Sequence, residues 1–313
     1  YIIRILPNIA ITDIMRTFRL NANQFAVIGA LYLYTYSFVQ IPIGILSDKI
    51  GISKLVLISM VVFLVGTYFF VSTTNYCVLQ ISRVFQGLGS ACTFLCALKL
   101  ISDKFPKHLV STFTGITAAI GSFGAMFAGK PTAYLIDKYG MSNAVYSLSS
   151  IAWISLVIIS IVCWRECLCQ SCNDDKNAES SKIDWKSLFS ILKDACCNKI
   201  LWVYAIISVG LYAPASVIAD FWSTGFFMTK YGMQHDTASF TITIFYIGAL
   251  FGSFVIPMII KPQYKRGALI FVIIVTFILL SIILYSNSIS SLSEIIILMG
   301  FIIGGEMLCF VGV

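Results

Sequence analysis

The sequence predicts an all-α polytopic membrane protein made of two helical bundles, and three observations carry that prediction. Of its 313 residues 58% are hydrophobic and 11% charged, whereas a soluble domain carries about 25% charged residues. Apolar runs follow one another along nearly the whole chain, each close to the roughly 20 residues a helix needs to cross a bilayer. Lys and Arg gather in alternate loops, as cytoplasmic loops require.

The same numbers exclude other classes. So few polar groups cannot cover a sphere of this size in water. Abundant apolar and aromatic residues exclude intrinsic disorder, and ten cysteines spread over this length do not make a short secreted disulfide scaffold. The net charge of +7 would suggest nucleic acid in a soluble domain. Here it comes from the basic loops, and no nucleic-acid partner is expected.

The apolar runs define the elements in order. The first extends from Tyr1 to about Ile14. Then come Phe25 to Leu46, Leu55 to Ser72, Cys77 to Ser102, Ser111 to Ile136 and Ala144 to Trp164. A polar segment, Arg165 to Lys199, interrupts the series, and Ile200 to Trp222, Phe240 to Ile260, Ala268 to Tyr285 and Glu294 to Val313 complete it. Barrel strands are excluded because the runs do not alternate in polarity. The expected organisation is a six-helix bundle over 1–164, a linker over 165–199 and a second bundle over 200–313 truncated to about four helices. Both ends fall inside apolar runs, so a longer protein with an eleventh and twelfth helix is expected.

Orientation follows from the loops. One set holds thirteen basic residues, among them Lys49, Lys54, Lys104, Lys107 and the linker's Lys and Arg; the other holds Arg16, Arg19, Lys138 and Lys230. This makes the linker cytoplasmic and directs the first helix from inside to outside. A weak internal repeat supports two related halves. At an offset of 213, Met15 falls on Met228, Phe18 on Tyr231 and Phe38 on Phe251; at 216, Phe85, Gly89 and Phe94 fall on Phe301, Gly305 and Phe310. Paired helical halves of this kind belong to transporter architectures, with the site near the midplane.

The loop after the second span reads Gly44-Ile-Leu-Ser-Asp48-Lys49-Ile-Gly51-Ile-Ser-Lys54. Gly44 is expected to admit a neighbouring helix, Asp48 to serve a helix end or a cation, and Gly51 to permit the tight turn. In the fourth span stands Arg83-Val-Phe-Gln86-Gly87-Leu-Gly89. The order, spacing and topological positions of these two stretches resemble the signature loop and the Arg-x-x-Gln-Gly-x-Gly motif of the major facilitator superfamily, and the likeness covers the whole chain. It departs from the family at Ile52 and Ser53, where basic residues are usual, and at Pro257 and Lys261, where the repeated signature has decayed. The fifth span lacks the Gly-Pro pair of the family's antiporters, since Pro131 follows Lys130.

The resemblance implies the family fold and a secondary transporter working by alternating access on a small polar or anionic organic solute. Proton-coupled uptake is expected rather than efflux. The alternative is a transporter-like sensor that binds solute without moving it. An enzyme is not expected, because the chain has only two histidines, His108 and His235, predicted on opposite sides of the bilayer. No Gly-rich phosphate loop appears, so ATP has no site. The partners expected are the solute, protons and lipid, for a monomer in the plasma (bacterial inner) membrane. No cofactor or metal is expected, although the linker cysteines Cys167, Cys169, Cys172, Cys196 and Cys197 suit zinc or palmitate. Trp185 to Ala195 has the spacing of a membrane-surface helix.

Charges inside spans are costly and are functional or paired. Arg4 in the first span and Glu306 in the tenth are the deepest, and Arg83 in the fourth is next. In the family's layout, the first, fourth, seventh and tenth helices line the cavity. Arg4 is expected to hold a solute anion, Glu306 to carry a proton, or the two to latch to each other. Counting helical rise from the loops places Asp13, Lys130 and Asp220 near the outer surface and Lys99 near the inner one.

Overall fold

The computed structural model describes residues 1–170, 197–260, 265–286 and 291–306. The linker from 171 to 196, with Cys172, Cys196 and the stretch Trp185 to Ala195, lies outside them, as do the side chains of Asp48, Lys49, Cys167, Cys169 and Glu306. The described residues form α1 (Ile2–Ile9), α2 (Ile11–Phe18), α3 (Ala22–Ile50), α4 (Ile52–Ser72), α5 (Tyr76–Lys104), α6 (Lys107–Ala128), α7 (Lys130–Tyr139) and α8 (Met141–Gln170). After the linker come α9 (Lys199–Ala215), a π-helical segment (Ser216–Trp222), α10 (Ser223–Tyr231), α11 (His235–Ile259), α12 (Lys265–Tyr285) and α13 (Leu292–Ile303), which ends in a 3₁₀ turn, Gly304–Glu306.

Seven stretches among the described residues are long and apolar enough to cross a membrane as continuous helices. Within the described residues the ten expected spans are helical; the first and seventh are interrupted and so miss that standard, and the tenth is described only as far as residue 306. Pro7 lies inside α1 and the first span breaks at Ala10. The π segment splits the seventh. The described helix of the tenth is 12 residues long. Two of the interruptions correspond: an offset of 213 carries Ala10 onto Ser223, where the π segment gives way to α10. Discontinuous helices are where transporters built of paired helical halves place ligand sites.

Apolar side chains face outward, the reverse of a water-soluble fold. On α8, Trp153, Ile154, Val157 and Ile158 are each more than half exposed. In water such a surface would aggregate; in hydrocarbon it is solvated, and helix formation satisfies the backbone polar groups along each span. The chain is an integral multi-pass membrane protein.

Contacts divide the chain into two compact units. One comprises Thr12–Phe105 and Leu135–Lys182. Here α3, opened by the Asn21–Gln24 capping box, packs against α5 and α4, and α4 packs against α8. Ile43, Leu55, Ala91, Cys92 and Cys96 form a buried cluster. Its helices cross closely at glycines: a methyl on Gly87 would meet the Tyr32 carbonyl oxygen at 2.7 Å, and one on Gly89 the Ser59 carbonyl oxygen at 2.5 Å. Gly51 has φ +84°, a left-handed turn that glycine adopts without penalty. Gly44 is not a close-approach point as the sequence suggests. A methyl there would meet only the end of Leu95, at 3.9 Å.

The other unit comprises Tyr1–Ile11, Pro106–Tyr134 and Ile183–Val313. In it α11 and α13 cross through Gly248 and Gly252 on one side and Gly300 and Gly304 on the other. Methyls at these positions would approach backbone atoms at 2.1, 2.0, 2.0 and 2.4 Å. Small residues let backbones meet where no hydrophobic force drives helices together. At the α6–α7 break the Lys130 amide donates to Thr243 Oγ1 at 3.0 Å, so the interruption is satisfied from α11. Lys230 Nζ and the Tyr231 hydroxyl both donate to the Ile283 carbonyl, at 2.9 and 2.8 Å. They cap the C-terminus of α12, where a cation complements the helix dipole.

Candidate functional site

Arg4 and Asn8 lie one turn apart on α1 and so share a face. In the unit that contains them, that face meets the π segment. Arg4 forms an ion pair with Asp220 through Nη2 and Oδ2, with side-chain exposures of 11% and 8%. The same Nη2 donates to the hydroxyl of Tyr212 on α9. The Tyr246 hydroxyl on α11 donates to the second oxygen of Asp220. The Arg4 guanidinium also stands 5.4 Å from the Tyr212 ring centre and 5.7 Å from that of Tyr1, within range of a cation–π contact. One carboxylate thus accepts from an arginine and a tyrosine inside an apolar bundle.

Asn8, fully buried, completes the arrangement. Its Nδ2 donates to the Ala219 carbonyl at 3.0 Å and to Ser223 Oγ at 2.8 Å. Its Oδ1 accepts from the Thr224 amide at 3.0 Å. Where α1 ends, the Ile9 carbonyl lies 2.8 Å from His235 Nε2 at the start of α11. Irregular backbone at membrane depth is tolerated only where such partners re-satisfy it.

Arg83 lies in the other unit and is 1% exposed. Nη1 donates to Gln86 Oε1 at 2.6 Å and Nε to the Ile28 carbonyl at 3.4 Å. The guanidinium stands 4.8 Å from the Tyr32 ring centre and 5.9 Å from that of Phe70. Gln86 in turn donates to Thr67 Oγ1 at 3.5 Å. The Arg-x-x-Gln spacing therefore works as an i, i+3 contact within α5. Lys99 donates to Ser47 at 2.9 Å, beside the signature loop, and Lys54 is exposed.

Several expectations are redirected. Arg4 pairs with Asp220, and the expected role of Glu306 falls on a side chain outside the described residues. Asp220 is buried within the protein, 6% exposed. The sequence also did not single out Asn8 or Tyr246. Asn8 could have been found as the second polar side chain of an apolar run, one turn from the first.

Comparison with known proteins accounts for this architecture. The profile of the Major Facilitator Superfamily matches residues 1–313. The riboflavin transporter RibZ of Clostridioides difficile (strain 630) is 25% identical over 154 residues, 49% of this chain and 31% of that protein. The uncharacterized transporter YybO of Bacillus subtilis (strain 168) is 21% identical over 281 residues, 85% of this chain and 63% of that protein. A probable sugar efflux transporter of Pasteurella multocida (strain Pm70) is 23% identical over 268 residues, 86% of this chain and 61% of that protein. The chain thus spans from about a third to just under two thirds of these relatives' lengths. Among solved structures, a bacterial homolog of the human lysosomal transporter Spinster, inward-facing and occupied, superposes with TM-score 0.64 at 13% identity, over 98% of this chain and 70% of that one. The chain belongs to the Major Facilitator Superfamily.

Proposed function

We propose that this protein is a secondary transporter that takes up a small polar or anionic organic solute by alternating access, driven by protons, with Arg4 and Asp220 as its working pair. The observation that carries this is a buried carboxylate, Asp220 on the interrupted seventh span, shared by Arg4 on the interrupted first span and Tyr246 on α11. Ionised Asp220 occupies Arg4. A proton taken up by Asp220 neutralises it and frees the guanidinium, whose planar fork suits a carboxylate or phosphate of the solute. Loss of the proton on the other side restores the ion pair and expels the solute. The proton role that the sequence suggests for Glu306 passes in this proposal to Asp220, the carboxylate in contact with Arg4. Arg83, Gln86, Gly87, Gly89 and the loop from Gly44 to Lys54 belong in this proposal to the moving scaffold. The six-plus-four division of the chain, with the linker cytoplasmic and the protein monomeric in a bacterial inner membrane, completes it.

The test is uptake into proteoliposomes under an imposed pH gradient, with labelled organic anions, sugars and riboflavin as the panel. Accumulation of one solute that collapses with the gradient supports the proposal. Saturable binding without flux marks a sensor, and flux indifferent to the gradient removes the proton.

A further inference from the structure

The π segment is the least usual piece of backbone in the chain, and Asn8 is bonded into it. Ala219 and Thr224 are five residues apart, the pair of backbone groups that a π turn joins. The Asn8 amide donates to the Ala219 carbonyl and accepts from the Thr224 N–H, both at 3.0 Å. A third bond, to Ser223 Oγ at 2.8 Å, uses the remaining donor. All of the groups are buried: Asn8, Ala219, Ser223 and Thr224 are at most 2% exposed. Removing Asn8 therefore takes a buried hydrogen-bond partner from both backbone groups at once. A π turn holds one residue more than an α turn. Returning the segment to α geometry turns the residues on one side of it by about 100° against those on the other. Asp220 sits inside the segment.

We propose that Asn8 is a positioning residue: its amide splints the Ser216–Trp222 segment in the π register, and that register aims Asp220 at Arg4 and Tyr246. This rests on the reading of Asp220 as the working carboxylate, but its test does not. The primary amide of asparagine presents N–H donors and a carbonyl acceptor on one planar group. Asn8→Asp keeps the acceptor for Thr224 and loses the donors to Ala219 and Ser223.

The experiment is labelling of Asp220 by dicyclohexylcarbodiimide, a membrane-soluble reagent for protonated carboxyls, read by mass spectrometry in detergent-purified protein. Melting temperature is recorded alongside. Held by Arg4 and Tyr246, Asp220 labels slowly in the wild type. Asn8→Asp and Asn8→Leu are each expected to raise the labelling rate about tenfold or more. Ser223→Ala, which spares the backbone pair, is expected to stay within about twofold. If Asn8→Leu fails to fold, Asn8→Asp, which keeps the size and shape of the side chain, gives the same reading. Labelling within twofold of wild type in folded Asn8→Asp or Asn8→Leu overturns the proposal and leaves Asn8 a packing residue. If labelling rises while gradient-driven uptake is untouched, the splint stands and Asp220 loses its transport role.

Discussion

Arg4 and Arg83 are both buried cations on apolar helices, yet the chain surrounds them with different chemistry. Arg4 meets the Asp220 carboxylate and the Tyr212 hydroxyl. Arg83 meets the Gln86 amide oxygen, the Ile28 carbonyl and the faces of Tyr32 and Phe70. A carboxylate can take up a proton, whereas an amide oxygen and an aromatic face keep their charge state at any physiological pH. Two arginines in similar hydrophobic spans therefore suit opposite tasks. Arg4 can be released from its partner by one proton, while Arg83 is fixed to the helices that hold it.

The largest effect should come from breaking the Arg4 pair. Arg4→Leu or Asp220→Leu alone leaves a buried charge uncompensated and should cost about 3–5 kcal/mol. The double variant Arg4→Met with Asp220→Leu removes both charges and should recover most of that stability, because well-packed apolar replacements of buried pairs are about neutral. Thermal unfolding of the three variants checks this. Singles no less stable than the double would mean that the pair is not buried as described.

A smaller loss is expected at Arg83. Arg83→Lys replaces a planar fork and its stacking with a point charge, and should cost about 1–3 kcal/mol of stability. The pH profile of uptake should be unchanged, because none of the groups named around Arg83 titrates in that range. A displaced pH profile in Arg83→Lys would erase the contrast between the two arginines.

How much of this was legible in the sequence differs between the two sites for physical reasons. The spans and their order follow from hydrophobicity alone, which is additive along a run. The Arg83–Gln86 contact follows from an i, i+3 spacing on one regular helix. The partners of Asp220 were not legible, because the sequence ends the seventh span at Trp222, whereas helix continues through α10 to Tyr231. The π segment then changes which residues share a face, so no α-helical wheel would have turned Asp220 toward Arg4. The glycines of the Arg83 motif were legible by spacing, but their packing roles were not, since these depend on which backbone crosses there.

The smallest pair of effects sharpens that last point. Gly87→Ala places a methyl 2.7 Å from the Tyr32 carbonyl oxygen, in the residue whose ring covers Arg83, and should cost about 1–3 kcal/mol. Gly44→Ala meets only Leu95 at 3.9 Å and should stay within about 0.5 kcal/mol. Equal losses at the two glycines would return Gly44 to a close helix contact.

The central claim, that the Arg4–Asp220 pair is the one opened by a proton, is tested most directly by Asp220→Asn in proteoliposomes, comparing gradient-driven accumulation with exchange of labelled for unlabelled solute at equal pH. The isosteric amide keeps an acceptor for Arg4 but removes the proton site. The account predicts that accumulation falls to the level of empty liposomes while exchange persists. Accumulation at the wild-type level in Asp220→Asn would contradict it.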